Sequence, residues 1–243
     1  MYISTTNSTN TLMKELLAKG EWQEGERFLY TAFQTAGRGQ AGNGWESEEG
    51  KNLLCSILLP PNKNLYFLNI AIGVALLRVI GEDFTIKWPN DIYFGDKKVA
   101  GILIENAIIG NEIKYSIAGI GLNVNQTTFL SSAPNPVSLK QITGKETDID
   151  ALMQALMTQI EAVEAMDEAQ VWAYYRDHLY RREGFWPFVE REVSTAPTMN
   201  AEKGAEGIFL AKIENVRTNG EIELRDQNGN LRIYHFKQVR YVL

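Results

Sequence analysis

Residues 87–105 read KWPNDIYFGDKKVAGILIE, and this stretch decides the fold class. Its second part, IYFGDKKVAGILIE, has the pattern of a β-hairpin, in which two apolar strands flank a short polar turn. A second hairpin follows, because strands predicted at 101–109 and 113–120 flank Gly110-Asn111, a pair suited to positive φ. Few helices separate these strands, so the sequence favours an α+β fold with a mixed or antiparallel sheet over a doubly wound parallel one.

The segments around these hairpins complete one larger and one smaller domain. Apolar spacing predicts helices at 10–19, 66–80, 148–166 and 168–182, and strands at 27–34 and 53–59. After Trp186 the chain changes to short strands punctuated by Asn219-Gly220 and Asn228-Gly229, both strong hairpin signals. We therefore expect a larger domain over 1–186 and a small SH3-like β-barrel over 187–243.

The composition excludes several classes of function. A net charge of −6 over 243 residues argues against a general affinity for nucleic acid, so an anionic ligand would need local positive groups. No apolar stretch approaches the roughly 20 residues that span a bilayer, and the first residues lack the features of a signal peptide. Cys55 is the single cysteine and lies in an apolar run, which indicates a buried side chain and a reducing, cytoplasmic location. The two histidines, His178 and His235, lack the spacing of metal ligands, so the metal ligands stay unknown.

A glycine-rich loop at Gly37, Gly39 and Gly42 matches G-x-G-x-x-G, the fingerprint of dinucleotide-binding loops. That fingerprint requires a helix directly after the loop, whereas here the chain continues through Trp45 and an acidic run into a strand. We therefore reject a Rossmann fold. The remaining functional interpretation is a loop in which Arg38 binds a phosphate or carboxylate and Trp45 contacts a purine ring. A mobile hairpin connection with a core tryptophan fits the loop equally well.

A second group of polar residues lies in KWPND and in the lysines after it. A lysine such as Lys98 would neutralise the charges that meet when a carboxylate attacks an α-phosphate, and Asp91 could orient an incoming amine. The alternative is a surface ion pair of little energetic value. Gly119 and Gly121, at the end of a strand, either leave room for a ligand against the backbone or mark a bulge. Three segments suited to ligand binding in one domain favour a common site.

These residues, in this order, resemble the signature of biotin–protein ligases. The shared positions are Ser8-Thr9-Asn10, Gln34, Ala36-Gly37-Arg38-Gly39, Gly42, Trp45, Lys87 to Asp91, Lys98, Ala100-Gly101, Gly119, Gly121 and Asn123. The resemblance covers residues 4–125 closely and the rest in outline, and KWPND followed by KxAGILIE is its most specific part. It implies a catalytic domain related to class II aminoacyl-tRNA synthetase cores, followed by an SH3-like domain.

The resemblance also implies a reaction and the roles of individual residues. Biotin would attack the α-phosphate of MgATP to give biotinyl-5'-AMP and pyrophosphate, and a lysine of a biotin carboxyl carrier protein would then accept the biotinyl group and release AMP. The catalytic residues that it implies are Arg38, Lys98 and Asp91. Biotin contacts are implied for Ser8, Thr9, Gln34, Gly37, Arg38, Lys98, Gly101, Gly119 and Gly121. Nucleotide contacts are implied for Arg38, Gly39, Gln40, Trp45, Asn90, Lys98 and Asn123.

Two departures from the family pattern lead to expectations of their own. Many relatives have a basic residue where Gln40 stands and another at Asn43, so we expect this loop to hold the adenylate less tightly and to release biotinyl-AMP more readily. The catalytic motif starts within ten residues of Met1, and we therefore expect a monofunctional ligase without a DNA-binding domain, with a homodimer left open. A lipoate–protein ligase and a non-catalytic binding module are the alternative interpretations.

Overall fold

The computed structural model describes residues 1–62, 64–110, 112–131, 134–191 and 207–243, which form two β-sheets and five α-helices. The first sheet contains β1 (Tyr2–Thr6), β2 (Phe28–Gln34), β3 (Asn52–Leu59), β4 (Thr85–Lys87), β5 (Asp91–Phe94), β6 (Lys97–Ile109) and β7 (Glu112–Asn123). The second contains β8 (Trp186–Glu190), β9 (Ile208–Val216), β10 (Ile222–Asp226), β11 (Leu231–Tyr234) and β12 (Val239–Tyr241). The helices are α1 (Thr9–Lys19), α2 (Leu65–Ile80), α3 (Leu139–Thr143), α4 (Ile149–Glu164) and α5 (Glu168–Asp177). The predicted mixed α+β class is confirmed.

The seven-stranded sheet has the order β1-β2-β3-β7-β6-β5-β4. All its pairings are antiparallel except that of β1 with β2, which α1 connects as a crossover helix. The sequence analysis missed β1, because its short run YISTT is largely exposed and has no continuous apolar face. The predicted turn at Gly110-Asn111 is described only in part: Gly110 has a φ of 62°, and Asn111 lies outside the described residues.

Side chains alternate between the two faces of this sheet, and each face packs against different helices. On β3, Leu53, Cys55 and Ile57 point into the main core beneath α2, α4 and α5. Leu58 points to the opposite face, where it packs with Met13 of α1. Burial raises the pKa of the Cys55 thiol to about 12, so this side chain is a structural part of the core.

The helix predicted at 168–182 is shorter than expected, because α5 ends at Asp177. The residues after it join the edge of the sheet. Ile86 of β4 donates its N–H to the carbonyl of His178 and accepts from the N–H of Tyr180. The sequence analysis also missed α3, which Ser138 begins with a capping box. Neither α3 nor any other described helix has the length and apolar character needed to cross a lipid bilayer.

The second sheet has the order β11-β10-β9-β8-β12. Its tight turns at Asn219-Gly220 and Asn228-Gly229 lie where the sequence indicated them, and the two glycines have φ values of 88° and 86°. β8 begins at Trp186, one residue before the predicted start of the smaller domain. Buried residues of this sheet, such as Phe188 and Tyr241, belong to the same hydrophobic cluster as the core of the larger sheet. The small sheet is therefore packed on the larger unit.

Candidate active site

One row of residues runs across the α1 face of the large sheet. Lys87 of β4 pairs with Asp91 of β5, Asp91 with Gly101 of β6, and Gly101 with Gly121 of β7. In an antiparallel sheet, directly paired residues project to the same face. The row therefore places a lysine and an aspartate beside two positions without side chains. The next row along the sheet contains Gly119, which pairs with Leu103 and with Ser56.

A β-bulge brings Lys98 to the same face. The register of β5 and β6 shifts between Ile92 and Tyr93, so that Ala100 pairs with Ile92 but Lys98 pairs with Tyr93. Val99 and Ala100 are both buried in the core as a result. The Lys98 ammonium lies 2.6 Å from Oδ1 of Asp91 and 5.5 Å from the ring centre of Trp45. An ammonium has three N–H donors, so this ion pair leaves Lys98 able to bind a further anion.

The glycines of β6 and β7 are required by the side chains that lie above them. A Cβ atom on Gly121 would lie 2.3 Å from Cε2 of Trp45, and one on Gly101 would lie 3.1 Å from Cζ3 of the same ring. A Cβ atom on Gly119 would lie 2.6 Å from Oδ1 of Asn10. Trp45 and Asn10 therefore approach the bare backbone of the sheet, and a larger residue at any of these glycines would displace them.

Asn10 links α1 to the sheet through a set of charged and polar partners. Its Oδ1 accepts a hydrogen bond from Ser56, and its Nδ2 donates to Oε2 of Glu105 at 2.7 Å. Glu105 also forms ion pairs with Lys14 at 2.6 Å and with Arg38 at 3.0 Å. Burial raises the pKa of Glu105, but the hydrogen bonds from Lys14 and Asn10, together with the charges of Lys14 and Arg38, leave the pKa below its usual value. The Glu105 carboxylate thus holds Arg38 at the edge of the α1 face of the large sheet.

The glycine-rich loop folds back on itself over this face. The N–H of Gly39 donates to the carbonyl of Asn43 at 2.7 Å, and the N–H of Trp45 donates to the carbonyl of Gly37 at 2.9 Å. Residues Gln40–Gly42 form only a single 3-10 turn, which supports the rejection of a Rossmann loop. Oε1 of Gln40 and Nε1 of Trp45 are buried and have no hydrogen-bond partner among the described residues. Unpaired buried polar atoms are costly, so these two atoms need a hydrogen-bond partner, which a ligand or a water molecule in the cavity can supply.

Lys87 lies at the junction of the two sheets. Its ammonium donates to the hydroxyl of Tyr93 at 3.2 Å and lies 5.1 Å from the ring centre of Tyr241 in β12. Burial, assisted by the nearby charges of Lys98 and Arg181, lowers the pKa of Lys87 from 10.5 to about 8 despite the opposing effect of Asp91. The fold therefore holds a lysine where its charged form is disfavoured.

All of these groups surround one cavity of about 980 Å³. Every site residue indicated by the sequence lines it: Ser8, Thr9, Gln34, Gly37, Arg38, Gly39, Gln40, Trp45, Asn90, Asp91, Lys98, Gly101, Gly119, Gly121 and Asn123. The volume suits a ligand of the size of a small cofactor or nucleotide. Chemically, the cavity combines cations that can bind anions, an aspartate beside a lysine, and an aromatic ring over bare backbone.

Comparison with known proteins gives the family. A family model described as Biotin/lipoate A/B protein ligase family matches residues 2–123. The chain belongs to this family. It is 31% identical over 216 residues to the bifunctional ligase/repressor BirA of Bacillus spizizenii. That alignment covers 83% of this chain and 62% of the Bacillus protein. The chain is also 29% identical over 171 residues to the biotin–[acetyl-CoA-carboxylase] ligase of Mycobacterium tuberculosis, covering 66% of this chain and 62% of that one. This chain thus spans less than two thirds of the length of either relative.

The fold of this ligase-family chain is similar to that of solved biotin protein ligases. The structure of the Aquifex aeolicus biotin protein ligase in complex with biotin and ATP covers 100% of this chain and 98% of its own length, with a TM-score of 0.76 and 23% identity. The Leishmania major biotin protein ligase in complex with biotinyl-5-AMP covers 96% of this chain and 97% of its own length, with a TM-score of 0.63 and 19% identity. At these identities the likeness concerns the fold.

Several of the site residues that the family resemblance implies form hydrogen bonds with other residues of this chain. Oε1 of Gln34 accepts from both the N–H of Thr9, at 2.8 Å, and its hydroxyl, at 3.2 Å. Nδ2 of Asn90 donates to the carbonyl of Ile102, and Nδ2 of Asn123 donates to the carbonyl of Val137 at 3.2 Å. These amides position the strand ends around the cavity, which all three residues line.

The small sheet also contributes to this site, which the sequence motifs do not indicate. Arg191, Phe236, Lys237, Arg240 and Tyr241 also line the cavity. The signal that could have indicated four of them is the run HFKQVRY at 235–241, in which two aromatic and two cationic side chains line the cavity. Glu105 is a further residue that the sequence did not indicate as the partner of Arg38, although it ends the most specific motif of the chain.

His, Cys, Asp and Glu are the side chains of the described residues that could hold a metal ion such as Mg²⁺. Among the described residues no group of three His, Cys, Asp or Glu side chains is arranged to hold a metal ion. Mg²⁺ commonly binds through substrate phosphates and water with few protein ligands.

Proposed function

We propose that this chain is an ATP-dependent biotin–protein ligase, which forms biotinyl-5'-AMP from biotin and ATP and transfers the biotinyl group to a lysine of a biotin carboxyl carrier protein. The observation that carries the proposal is the meeting of Arg38, Lys98 and Asp91 around one cavity whose floor is made of glycines. Two anions have to come together in the first step, and an amine has to be received in the second. The cavity offers the groups that both steps need.

Biotin binds at the end of the cavity near α1. Ser8, Thr9 and Gln34 supply the polar contacts for its ureido ring, and the apolar floor between them accommodates the rest of the bicycle. Asn10 joins them, since it lies directly over Gly119 and lines the same wall. Gly101, Gly119 and Gly121 allow Trp45 and Asn10 to lie against the sheet, and Gly37 allows the chain to pass close to Trp45, so that these side chains border the path of the valeryl chain.

Activation of biotin takes place between Arg38 and Lys98. An oxygen of the biotin carboxylate attacks the α-phosphorus of ATP, the bond from that phosphorus to the bridging oxygen breaks, and pyrophosphate leaves. The two cations reduce the repulsion between carboxylate and phosphate and stabilise the charge of the transition state. Trp45 provides the surface for the purine, with Gly39, Gln40, Asn90 and Asn123 around the nucleotide. Magnesium enters with the phosphates of ATP.

Transfer of biotin takes place beside Asp91. The ε-amine of the acceptor lysine attacks the acyl carbon, the carbon–nitrogen bond forms, and the bond to the phosphate oxygen breaks to release AMP. Asp91 accepts a hydrogen bond from the amine and takes its proton. The 2.6 Å contact between Asp91 and Lys98 fixes the direction of the carboxylate.

The proposal extends to the architecture. We assign residues 1–186 to a catalytic domain of the class II aminoacyl-tRNA synthetase type and residues 187–243 to an SH3-like domain. The antiparallel core of the first sheet and the five short strands of the second support this division. A cytoplasmic location is supported by the single, fully buried cysteine, which forms no disulfide.

ATP–pyrophosphate exchange tests the proposed activity. The purified chain should exchange labelled pyrophosphate into ATP when biotin is added and not when it is omitted. Lipoate in place of biotin should give no exchange, and exchange with lipoate alone would assign the chain to the lipoate branch of the family. Absence of exchange with either acid would leave a non-catalytic binding module as the function. A biotin carboxyl carrier domain should then accept biotin on one lysine, as measured by intact mass.

A further inference from the structure

Glu105 is an acidic side chain that lies behind the wall of the cavity. It follows Gly101 and Leu103 on the same face of β6, since alternate residues of a strand project to one side. Gly101 and Leu103 line the cavity, whereas Glu105 does not. Only 19% of the Glu105 side chain is exposed. The proposed reaction has so far assigned no step to this carboxylate.

Three hydrogen bonds hold the Glu105 carboxylate in one orientation. Its Oε1 accepts from the Lys14 ammonium at 2.6 Å. Its Oε2 accepts from Nδ2 of Asn10 at 2.7 Å and from a terminal nitrogen of Arg38 at 3.0 Å. Asn10 and Lys14 are four residues apart on α1, so both side chains lie on one face of the helix. The carboxylate thus links α1, β6 and the glycine-rich loop.

Docking of α1 on the sheet does not require this carboxylate. The helix already packs through Met13, which is fully buried together with Leu29 and Ile117. Replacing a buried ion pair by apolar side chains of similar size is often neutral or stabilising. The charge of Glu105 is therefore better explained by its effect on Arg38 than by the stability of the fold.

Arg38 is anchored at both ends but keeps most of its donors available. Its backbone forms a β-bridge with Gly44, and its guanidinium donates one hydrogen bond to Glu105. A guanidinium has five N–H donors, and within the described parts of the chain no other group accepts a hydrogen bond from this one. The contact with Glu105 therefore fixes where the guanidinium lies and leaves its other N–H groups for an anion in the cavity.

Lys14 prevents this anchor from cancelling the charge of the arginine. The charges of Lys14, Glu105 and Arg38 together leave one positive charge, whereas Glu105 and Arg38 alone would be neutral. Lys14 does not line the cavity, so its contribution is to offset the charge of Glu105. Glu105 can therefore hold Arg38 in place while the group as a whole still attracts an anion.

We propose that Glu105 is a positioning residue that holds Arg38 ready for the biotin carboxylate and the α-phosphate, and that Lys14 offsets the charge of Glu105. This inference rests on the proposed ligase function. An arginine side chain without an anchor would have to be ordered in every turnover, and an anchored one avoids that cost when the substrates meet. Glu105 contacts neither substrate and acts through Arg38.

A double-mutant cycle between positions 38 and 105 tests this role. The rate of biotinyl-AMP formation is measured by rapid quench in single turnovers at saturating biotin and ATP. Glu105→Gln should lower this rate by about tenfold, because a neutral amide holds the guanidinium less firmly than a carboxylate. In an Arg38→Gln background the same change should have no further effect, since no guanidinium is left to position. Glu164→Gln, which breaks an ion pair with Arg27 outside the cavity, is the matched control and should leave the rate unchanged.

Lys14→Gln separates the charge of the group from the position of the arginine. Arg38 stays anchored in this variant, so the rate at saturating substrates should remain at the wild-type value. The KM for biotin should rise by about threefold, because Glu105 then neutralises Arg38. High salt should remove that rise, since screening weakens the attraction between the charges. An unchanged KM for biotin at low salt would refute the role of Lys14.

The cycle distinguishes positioning of Arg38 from a role in the fold. Equal loss of rate from Glu105→Gln with and without Arg38 would overturn the proposal, because the carboxylate would then act independently of the arginine. A wild-type rate in Glu105→Gln would overturn it as well. A wild-type chain that forms no biotinyl-AMP would instead refute the proposed function. If Glu105→Gln fails to fold, as judged by circular dichroism, Lys14→Met/Glu105→Met replaces it in the cycle, because this variant removes both charges together and leaves no unpaired lysine.

Discussion

The contact between Trp45 and Gly121 allows a sharp test of the site. In Gly121→Ala the new methyl group would lie 2.3 Å from Cε2, 2.6 Å from Nε1 and 2.7 Å from Cζ2 of the Trp45 ring. Favourable carbon–carbon contacts begin near 3.5 Å, so one of the two groups has to retreat by about 1 Å. The backbone of Gly121 cannot do so easily, because β7 is paired on both sides, with Leu54 and with Gly101. The indole ring therefore moves off the sheet.

The expected consequences concern both stability and nucleotide binding. Forcing a methyl group into a filled space costs about 1–3 kcal/mol, which urea denaturation of the variant would measure. Stacking of a base on an aromatic ring contributes about 1–3 kcal/mol, so displacing Trp45 should raise the KM for ATP by about tenfold in the exchange reaction. Gly207→Ala is the matched control, because a Cβ atom there meets nothing within 4 Å and its φ is not in the left-handed region. A Gly121→Ala chain with wild-type stability and a wild-type KM for ATP would refute the role of Trp45.

Three further predictions concern charged and polar residues of the cavity. Lys87→Met should raise the free energy of unfolding at pH 7 by about 1–2 kcal/mol, because the folded-state pKa of about 8 lies below the usual 10.5 and charging Lys87 opposes folding. This extra stability of the variant over wild type should disappear above pH 10.5, because there the lysine is neutral in both the folded and the unfolded chain. Urea denaturation of both proteins at pH 7 and above pH 10.5 measures the difference, and equal stability of the two at pH 7 would contradict the prediction. Asp91→Asn should slow transfer from preformed biotinyl-AMP by about 100-fold and affect exchange less, since only transfer needs a base beside the amine. Equal losses in both steps would speak against that role. Gln40→Arg combined with Asn43→Arg should reduce labelling of bystander lysines, because added cations retain the adenylate. Mass spectrometry of a mixed-protein reaction measures the labelling, and a wild-type chain that labels only its carrier lysine would remove the basis for this expectation.

Much of the candidate site could be predicted from sequence because its residues occur in three short, locally ordered motifs. The glycines of β6 and β7 mark positions where the chain needs bare backbone, and the structure gives the reason in the contacts of Trp45 and Asn10. The amphipathic helices and the glycine turns of the small sheet follow from local patterns in the same way. Residues after Asp177 could not be predicted so easily, since their pairing with Ile86 competes with helix formation and depends on a strand far away in sequence.

The sequence by itself determined which residues belong to the candidate site and the order in which they occur along the chain. These are the glycine loop, KWPND, the lysine and glycine of β6, and the two glycines of β7. Tertiary structure decided which side chains face the cavity. Simple alternation back from Gly101 would put Lys97 on the cavity face, and the bulge in β6 puts Lys98 there instead. It also brought Lys237 and Arg240 against a site formed by residues more than 100 positions earlier. Local patterns depend on the few residues on either side, whereas a shift of register and the docking of one sheet on another depend on packing free energy summed over the whole chain.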